Sequence, residues 1–511
     1  MHQFIRRLLL ILFGLTLPQN ARGIDTLVHP GEDLQAVLDR GDNLLLQPSQ
    51  TYSVTQTLRF KTANQSITTH NASTPETFAT LRLAPGETSI LIDGNQQAGI
   101  ILERVILDGN RIDMQPLEGK MPDLPLISLG KPGGIRQEIR QCVVLNSRSA
   151  GGWAAIHIHE GARALRVEDN IVFGSGADAR GNGRAPKERA FGWGDGISTA
   201  SPETVIRNNV VIDATDEGIM IQGAPGTLVE NNMVAAISRE MLGGIALIDP
   251  SQYYVLDKKT RRHDYRKVIV RNNHIDARGA RIHIALPMGG PCWHQNLKDT
   301  TLVGATIENN TLTGEAAAYG FVANGIDDFT IQGNVSRAAH SGMGDGLWQN
   351  PPDPAAPFLF DPNRIGNSRL QTEFQPAQRH VIHLIRAFGK PTNPLGYRLL
   401  SYGQAECQAV IRGAYQEMLG RQPTSEEATF WYSRLQQENL AVDDLRRSLL
   451  ISPEFVRHHS HVNPDHLHAW RTRLWMRALK DEWQKMWYTK DTWPKAIDLY
   501  KVMRQTAMGV P

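Results

Sequence analysis

The chain has 511 residues, with 54 Lys and Arg against 52 Asp and Glu and a formal net charge of +2. That length accommodates more than one domain, and the balanced charge argues against nucleic acid as a partner. Three scattered cysteines, Cys142, Cys292 and Cys407, make no disulfide framework and, without a CxxC pair, no zinc site; 45 glycines suit a fold of many turns.

Residues 1–23 read as a secretory signal. Arg6 and Arg7 precede the apolar run Leu8 to Leu17, and Pro18-Gln19-Asn20-Ala21 follows, which is the order of charged, apolar and cleavage regions. A secreted or periplasmic location is expected. No second stretch is long and apolar enough for a membrane helix.

The next segment opens a solenoid expected over 24–350. Asp33 can cap a short helix whose Leu34, Val37 and Leu38 share one face, and such a helix would close the open end of a sheet. Asn43-Leu44-Leu45-Leu46 and Tyr52-Ser53-Val54 read as the first strands. Further on, one strand-like pattern recurs at intervals of roughly 22 to 41 residues, the mark of a repeat architecture. It runs through Ile139-Arg140-Gln141-Cys142, Val167-Glu168-Asp169-Asn170, Ile206-Arg207-Asn208-Asn209, Val229-Glu230-Asn231-Asn232, Val270-Arg271-Asn272-Asn273, Ile307-Glu308-Asn309-Asn310 and Ile331-Gln332-Gly333-Asn334. Asparagine suits tight bends because it tolerates the left-handed conformation and bonds locally. Stacked coils would set these amides in a ladder. The fold class expected is mainly β, a right-handed parallel β-helix followed by a smaller all-α C-terminal domain.

Three longer loops, 174–189, 249–266 and 289–300, interrupt the coils; the last two are rich in Arg, Lys, His, Trp and Tyr. They read either as walls against a carbohydrate or as solvated surface. A Pro-rich stretch over 351–400 reads as a linker or wrapping strap. Beyond it the period turns helical: 401–458 forms a helical module, with Gly420 as a C-cap and Thr424 to Glu427 as a capping box, and 459–511 a helical tail. The His-rich run from His458 to His468 reads as a solvated connector.

A second set of strands aligns around a Gly-aliphatic pair, in Trp153 to His157, Gly194-Asp195-Gly196-Ile197, Asp216-Glu217-Gly218-Ile219, Gly243-Gly244-Ile245, Arg281-Ile282-His283 and Gly344-Asp345-Gly346-Leu347. With adjacent strands about 4.8 Å apart, Asp195 is expected beside Glu217, with Asp216 next to it. Arg281 and His283 are expected on the same open face two coils on, with His157 aligned to His283 as a groove residue and Asp345 as a distal subsite. Gly196, Gly218 and Gly244 would leave a trough.

These segments resemble the polygalacturonase-type glycoside hydrolases of the pectin-lyase-like β-helix superfamily, whose successive coils carry Asn-x-Asp, Asp-Asp, Gly-His-Gly and Arg-Ile-Lys. Trp193 stands for the Asn, Gly243 for the His and His283 for the Lys. The resemblance implies cleavage of a polysaccharide, possibly one containing uronic acid, by inverting acid/base hydrolysis without a cofactor. Asp216 would protonate the leaving oxygen, Asp195 with Glu217 would activate water, and Arg281 and His283 would hold substrate. The pectate-lyase type of β-helix implies an alternative, in which Asp195, Asp216 and Glu217 bind Ca²⁺ and Arg281 abstracts a proton, as in a lyase or a uronate C5-epimerase. A non-catalytic glycan-binding or surface protein is the third reading. Tyr415 to Arg421, with Phe430-Trp431 and Ser452 to Phe455, resembles the helical DUF4214 module, which implies attachment to a cell surface or glycan.

Overall fold

The structure is a computed structural model and describes residues 23–72, 77–86, 90–110, 124–148, 153–176, 193–236, 240–250, 252–277, 281–314, 317–340, 342, 353–378 and 404–437, with 445, 449 and 454. The expected secretory signal up to residue 22, the loop around 177–192, Asp345, the His-rich run and the 459–511 tail lie outside the described residues.

Three long sheets, of 11, 11 and 10 strands, run the length of a parallel β-helix, and within each the strands pair in parallel from coil to coil. One residue per strand alternates inward, so Ile139, Val167, Ile206, Val229, Val270, Ile307 and Ile331 stack into one core column. The helix Leu34–Asp39 forms as its spacing predicts. Asp33 accepts from the Ala36 amide at 3.1 Å, and Leu34, Val37 and Leu38 are buried in the core of the first coil.

The bend after the first sheet divides its work between two residues. Gln141, Asp169, Asn208, Asn231, Asn272, Asn309 and Gly333 take the left-handed conformation. The residue that follows turns inward. From Asn170 through Asn209, Asn232, Asn273 and Asn310 to Asn334, each amide donates to the next side-chain oxygen at 2.9–3.0 Å. Each also donates to a carbonyl of the coil before, as Asn232 does to Ile206 at 2.9 Å. Cys142 holds the slot before the ladder without a side-chain amide, its backbone N–H donating to Asn170 Oδ1, while Gln371 Oε1 accepts from the ladder's last amide at 3.1 Å. Buried bends thereby satisfy every polar group they carry.

Outside this bend runs a second ladder. Glu103, Arg140, Glu168, Arg207, Glu230, Arg271 and Glu308 follow one another in register along the first sheet, alternating in sign. Ion pairs close at 3.2 Å for Arg140–Glu103, 2.7 Å for Arg207–Glu168 and 2.8 Å for Arg271–Glu230.

Of the Pro-rich stretch, expected as a linker or a wrapping strap, the described part contributes strands. Phe358–Phe360 pairs with Ala317–Ala323, and Gln375–Pro376 pairs with Phe358–Phe360, which extends the second sheet. Pro357 keeps its carbonyl free to accept the Phe321 amide, and Pro376 sits on the outermost strand, where a missing N–H costs no pairing. The 249–266 loop folds into Val255–Asp257 and Arg262–Asp264, which join Thr301–Val303 and Ile326–Asp327 in a small fourth sheet. Near the C-terminus the helices Gln404–Leu419 and Ser425–Gln437 flank Gly420, at φ 68°. The capping box is reciprocal: the Thr424 amide donates to Glu427 at 2.7 Å and the Glu427 amide to Thr424 Oγ1 at 3.2 Å. Arg421 forks onto both Glu427 and Glu454.

Asn232→Ala removes a ladder amide from between two neighbours and leaves buried partners unmet. A loss of about 2–4 kcal/mol is expected, read as a lower unfolding midpoint in circular dichroism, whereas Asn231→Gly at the adjacent left-handed position should be nearly neutral.

Candidate active site

The second sheet positions the acids. Ile197 pairs with Ile219, and Ile219 with Ile245, all three packed in the core. That register sets Asp195 beside Glu217, whose amide donates to Asp195 Oδ1 at 3.2 Å. The glycines do not form a trough as expected. A side chain at Gly196 would strike Val211, one at Gly218 would strike Val234 and one at Gly244 would strike Ile275, all core residues. Gly196, Gly218 and Gly244 thus face inward immediately before an inward isoleucine. Two successive inward positions leave no room for a side chain at the first, so glycine is required there, and the preceding residue is directed out of the core.

One oxygen each from Asp195, Asp216 and Glu217 lies within 4.8 Å of the others. The expected open wall is not what surrounds them: Glu217 is 0% exposed and Asp195 4%, and only Asp216 of the three reaches solvent in part. Asp216 Oδ1 and both Glu217 carboxylate oxygens are buried and meet no donor from outside the carboxyl group, so only a proton shared among the acids can join them. Such crowding penalises charge. Burial, then the neighbouring Asp216, pushes Asp195 well above the usual carboxylate range, and burial with the charges of Asp216 and Asp195 does the same to Glu217. Burial raises Asp216 to about 6, opposed by its hydrogen bond with Glu217. The protons belong to the group rather than to one residue.

A fourth carboxyl, Asp249, escaped the sequence reading. It stands outside the 4.8 Å group, is partly exposed, and is raised to about 6 by burial. It is close enough to raise both Asp195 and Asp216. Its signal was present, since it is the first residue of the 249–266 loop, but Asp249-Pro250 reads as an ordinary turn.

Arg281 and His283 are displaced from the expected stripe. Met241 pairs with Ile282 and Gly243 with Ile284, so Gly243-Gly244-Ile245 matches Ile284-Ala285-Leu286 and not Arg281-Ile282-His283. Both residues are fully buried. Arg281 donates to the Gly342 carbonyl, and His283 Nε2 meets Glu240 Oε1 at 2.6 Å. His157 lies level with Ser198, which it meets at 2.6 Å, then with Met220 and Ala246, so it does not align with His283.

No protein-family profile matches the chain, and no curated protein matches it. Among solved structures, an endo-xylogalacturonan hydrolase from Aspergillus tubingensis is 10% identical, over 69% of this chain and 92% of its own, with a TM-score of 0.43. Endopolygalacturonase I from Stereum purpureum is 14% identical, over 65% of this chain and 95% of its own, with a TM-score of 0.35. A mannuronan C-5 epimerase A-module from Azotobacter vinelandii is 14% identical over 67% and 97%, with a TM-score of 0.34. At these values the strand registers, and not the neighbours, establish the fold.

Raised carboxyls bind protons more tightly in the fold than in the unfolded chain. Their stabilising contribution is therefore full below about pH 4, the unfolded range, and is lost as pH rises through the range in which the folded cluster titrates. Glu217→Gln is expected to raise the unfolding midpoint by about 2 °C or more at pH 8 and to leave it near the parent value at pH 4. Equal shifts at both pH values in thermal melts would show that this carboxyl does not titrate.

Proposed function

We propose that the chain is a polysaccharide-cleaving enzyme acting by acid/base catalysis, with Asp216 as proton donor and Asp249 as the base that activates water. The observation that carries this reading is the buried carboxyl cluster, whose Asp216 and Glu217 oxygens meet no donor from outside it and which reaches solvent through Asp216. A fold does not keep such a group for stability, because unpartnered buried carboxyls cost free energy. Asp195 and Glu217, assigned to water activation by the resemblance, are too enclosed to meet a water from the solvent side. Burial, with the charge of Asp249, holds Asp216 near pH 6 against its hydrogen bond with Glu217, so it carries a proton for part of the time. Asp249, outside the 4.8 Å group and also near 6, supplies the second carboxyl that an inverting reaction requires.

In the forward step Asp216 gives its proton to the glycosidic oxygen as the C–O bond breaks. Asp249 takes a proton from the water that attacks the anomeric carbon from the opposite face. Asp216→Asn is expected to lower kcat at least about 100-fold with glycan binding retained. kcat/KM should fall as pH rises above about 6, where Asp216 loses its proton. Asp249→Asn should be equally slow, and azide should rescue it by attacking in place of water, releasing a glycosyl azide of inverted configuration. Turnover unchanged in both variants, against a panel of neutral and uronic-acid polysaccharides, would refute the assignment.

A second reading rests on one distance. Carboxylate oxygens within 4.8 Å of one another suit a cation with Ca–O bonds of 2.3–2.6 Å, so Asp195, Asp216 and Glu217 would be the residues to hold Ca²⁺. The ion would supply charge neutralisation for a uronate in lyase or epimerase chemistry. Loss of activity in EDTA, restoration by Ca²⁺ and a product absorbing at about 235 nm would favour this reading over hydrolysis. Export, and attachment to a surface or glycan through the helical segment from Gln404 onward, belong to the same proposal; deleting that segment should release the protein from cells without loss of turnover.

A further inference from the structure

The outer face of the second sheet changes character at the acids. On the side of the earlier coils it is polar. Asp93, Ser128, His157 and Ser198 follow one another in register. Ser128 bonds to His159 at 3.0 Å and to Asn95 at 2.8 Å. Trp153, 49% exposed, lies edge-on to both histidines, with ring centroids 4.9 Å from His157 and 5.6 Å from His159. Desolvation lowers His157 to about 3 and His159 to about 4, so both are neutral near pH 7.

On the side of the later coils the same face is apolar and closed. Met220, Leu242, Ala246, Ile284, Tyr319 and Leu359 form a second buried cluster, separate from the core inside the coils. It is roofed by the short 3-10 turns of the 289–300 loop, whose Cys292 is buried in it, and by the 353–360 strap, where the Asp353 carbonyl accepts from Tyr319. Trp193, two residues before Asp195, packs on this cluster and against Trp293 at 5.8 Å. The aromatic pair therefore stands beside the acids, where the polar half ends.

Resting on the acid/base reading above, we propose that the glycan enters from the earlier coils alone, across the exposed Trp153 and the half-buried His159, and that the Trp193–Trp293 wall stops its end, so that cleavage occurs at chain ends. A sugar ring has an apolar face of C–H groups that stacks on an exposed indole, while its hydroxyls bond to neutral donors and acceptors. His159, in edge contact with Trp153, places such a partner beside the indole.

The test digests a panel of polygalacturonate, alginate, xylan, β-1,3-glucan and α-1,3-glucan with the full chain, following product size by gel filtration together with viscosity. Chain-end action predicts one small product of constant size while the polymer peak and the viscosity persist. Trp153→Ala, an exposed position that the fold does not need, should raise KM about tenfold, or about 1.4 kcal/mol, with kcat within about twofold. Trp293→Ala, checked for folding by circular dichroism, should add internal cuts. Early loss of viscosity in the parent protein, or an unchanged KM in Trp153→Ala, would overturn the chain-end proposal while leaving the acid/base reading in place. Failure to cut any polymer would refute both.

Discussion

The amide ladder from Asn170 to Asn334 is the constraint on which the rest depends. A parallel β-helix can slip, because any coil can pair with any other through backbone hydrogen bonds alone. Side-chain amides at one buried bend prevent this. Each must donate both to the neighbouring side chain and to the carbonyl behind it, and a shifted coil would leave several buried polar groups unmet. The adjacent charge ladder adds a parity rule. Glu168, Arg207, Glu230 and Arg271 alternate, so omitting a single coil would bring like charges together. Each exposed pair contributes little by itself, and its value lies in discriminating against wrong stackings.

Fixed coils decide what the second sheet presents. Because Ile197, Ile219 and Ile245 are held level in the core, Asp195 and Glu217 must sit side by side. Inward glycines at 196, 218 and 244 absorb the change in alternation that directs the acids out of the core. Residues that would destabilise an ordinary strand are thus tolerated because neighbouring coils hold the backbone in place. The cost of gathering carboxyls is met by the long, well-satisfied stack on either side.

How much of this could be read from the chain follows from the physics of each element. The Asn pairs were legible as a repeat, and the first and second asparagine have separate tasks that only the backbone angles distinguish. The alternation of Arg and Glu one residue earlier is equally present in the sequence, but it becomes a ladder only through the register that stacks one coil on the next. The three acids came together as their spacing suggested. The displacement of Arg281 has a simple origin: the Gly-aliphatic pattern was matched by local likeness across loops of unequal length. Anchoring on the ladder would have corrected it, since Gly243 follows Asn232, and Ile284 follows Asn273, by the same interval. Closure of the later coils was not legible, because it depends on the 289–300 loop and the 353–360 strap folding over the sheet.

That same covering gives the site its polarity. A bare β-helix is nearly uniform along its axis, and a polymer laid on it would have no reason to stop at one coil. Here the coils before the acids keep polar side chains on the outer face, and the coils after them turn apolar and bury that face under their own loop and strap. The apolar half cannot be reopened cheaply, since exposing residues such as Leu242, Ile284 and Tyr319 would cost about 1.5–3 kcal/mol each. The boundary is therefore rigidly closed on one side and keeps the exposed Trp153 on the other, and the carboxyl cluster lies at that boundary. A group that must be dry enough to retain a proton, yet must reach a substrate, requires such an edge.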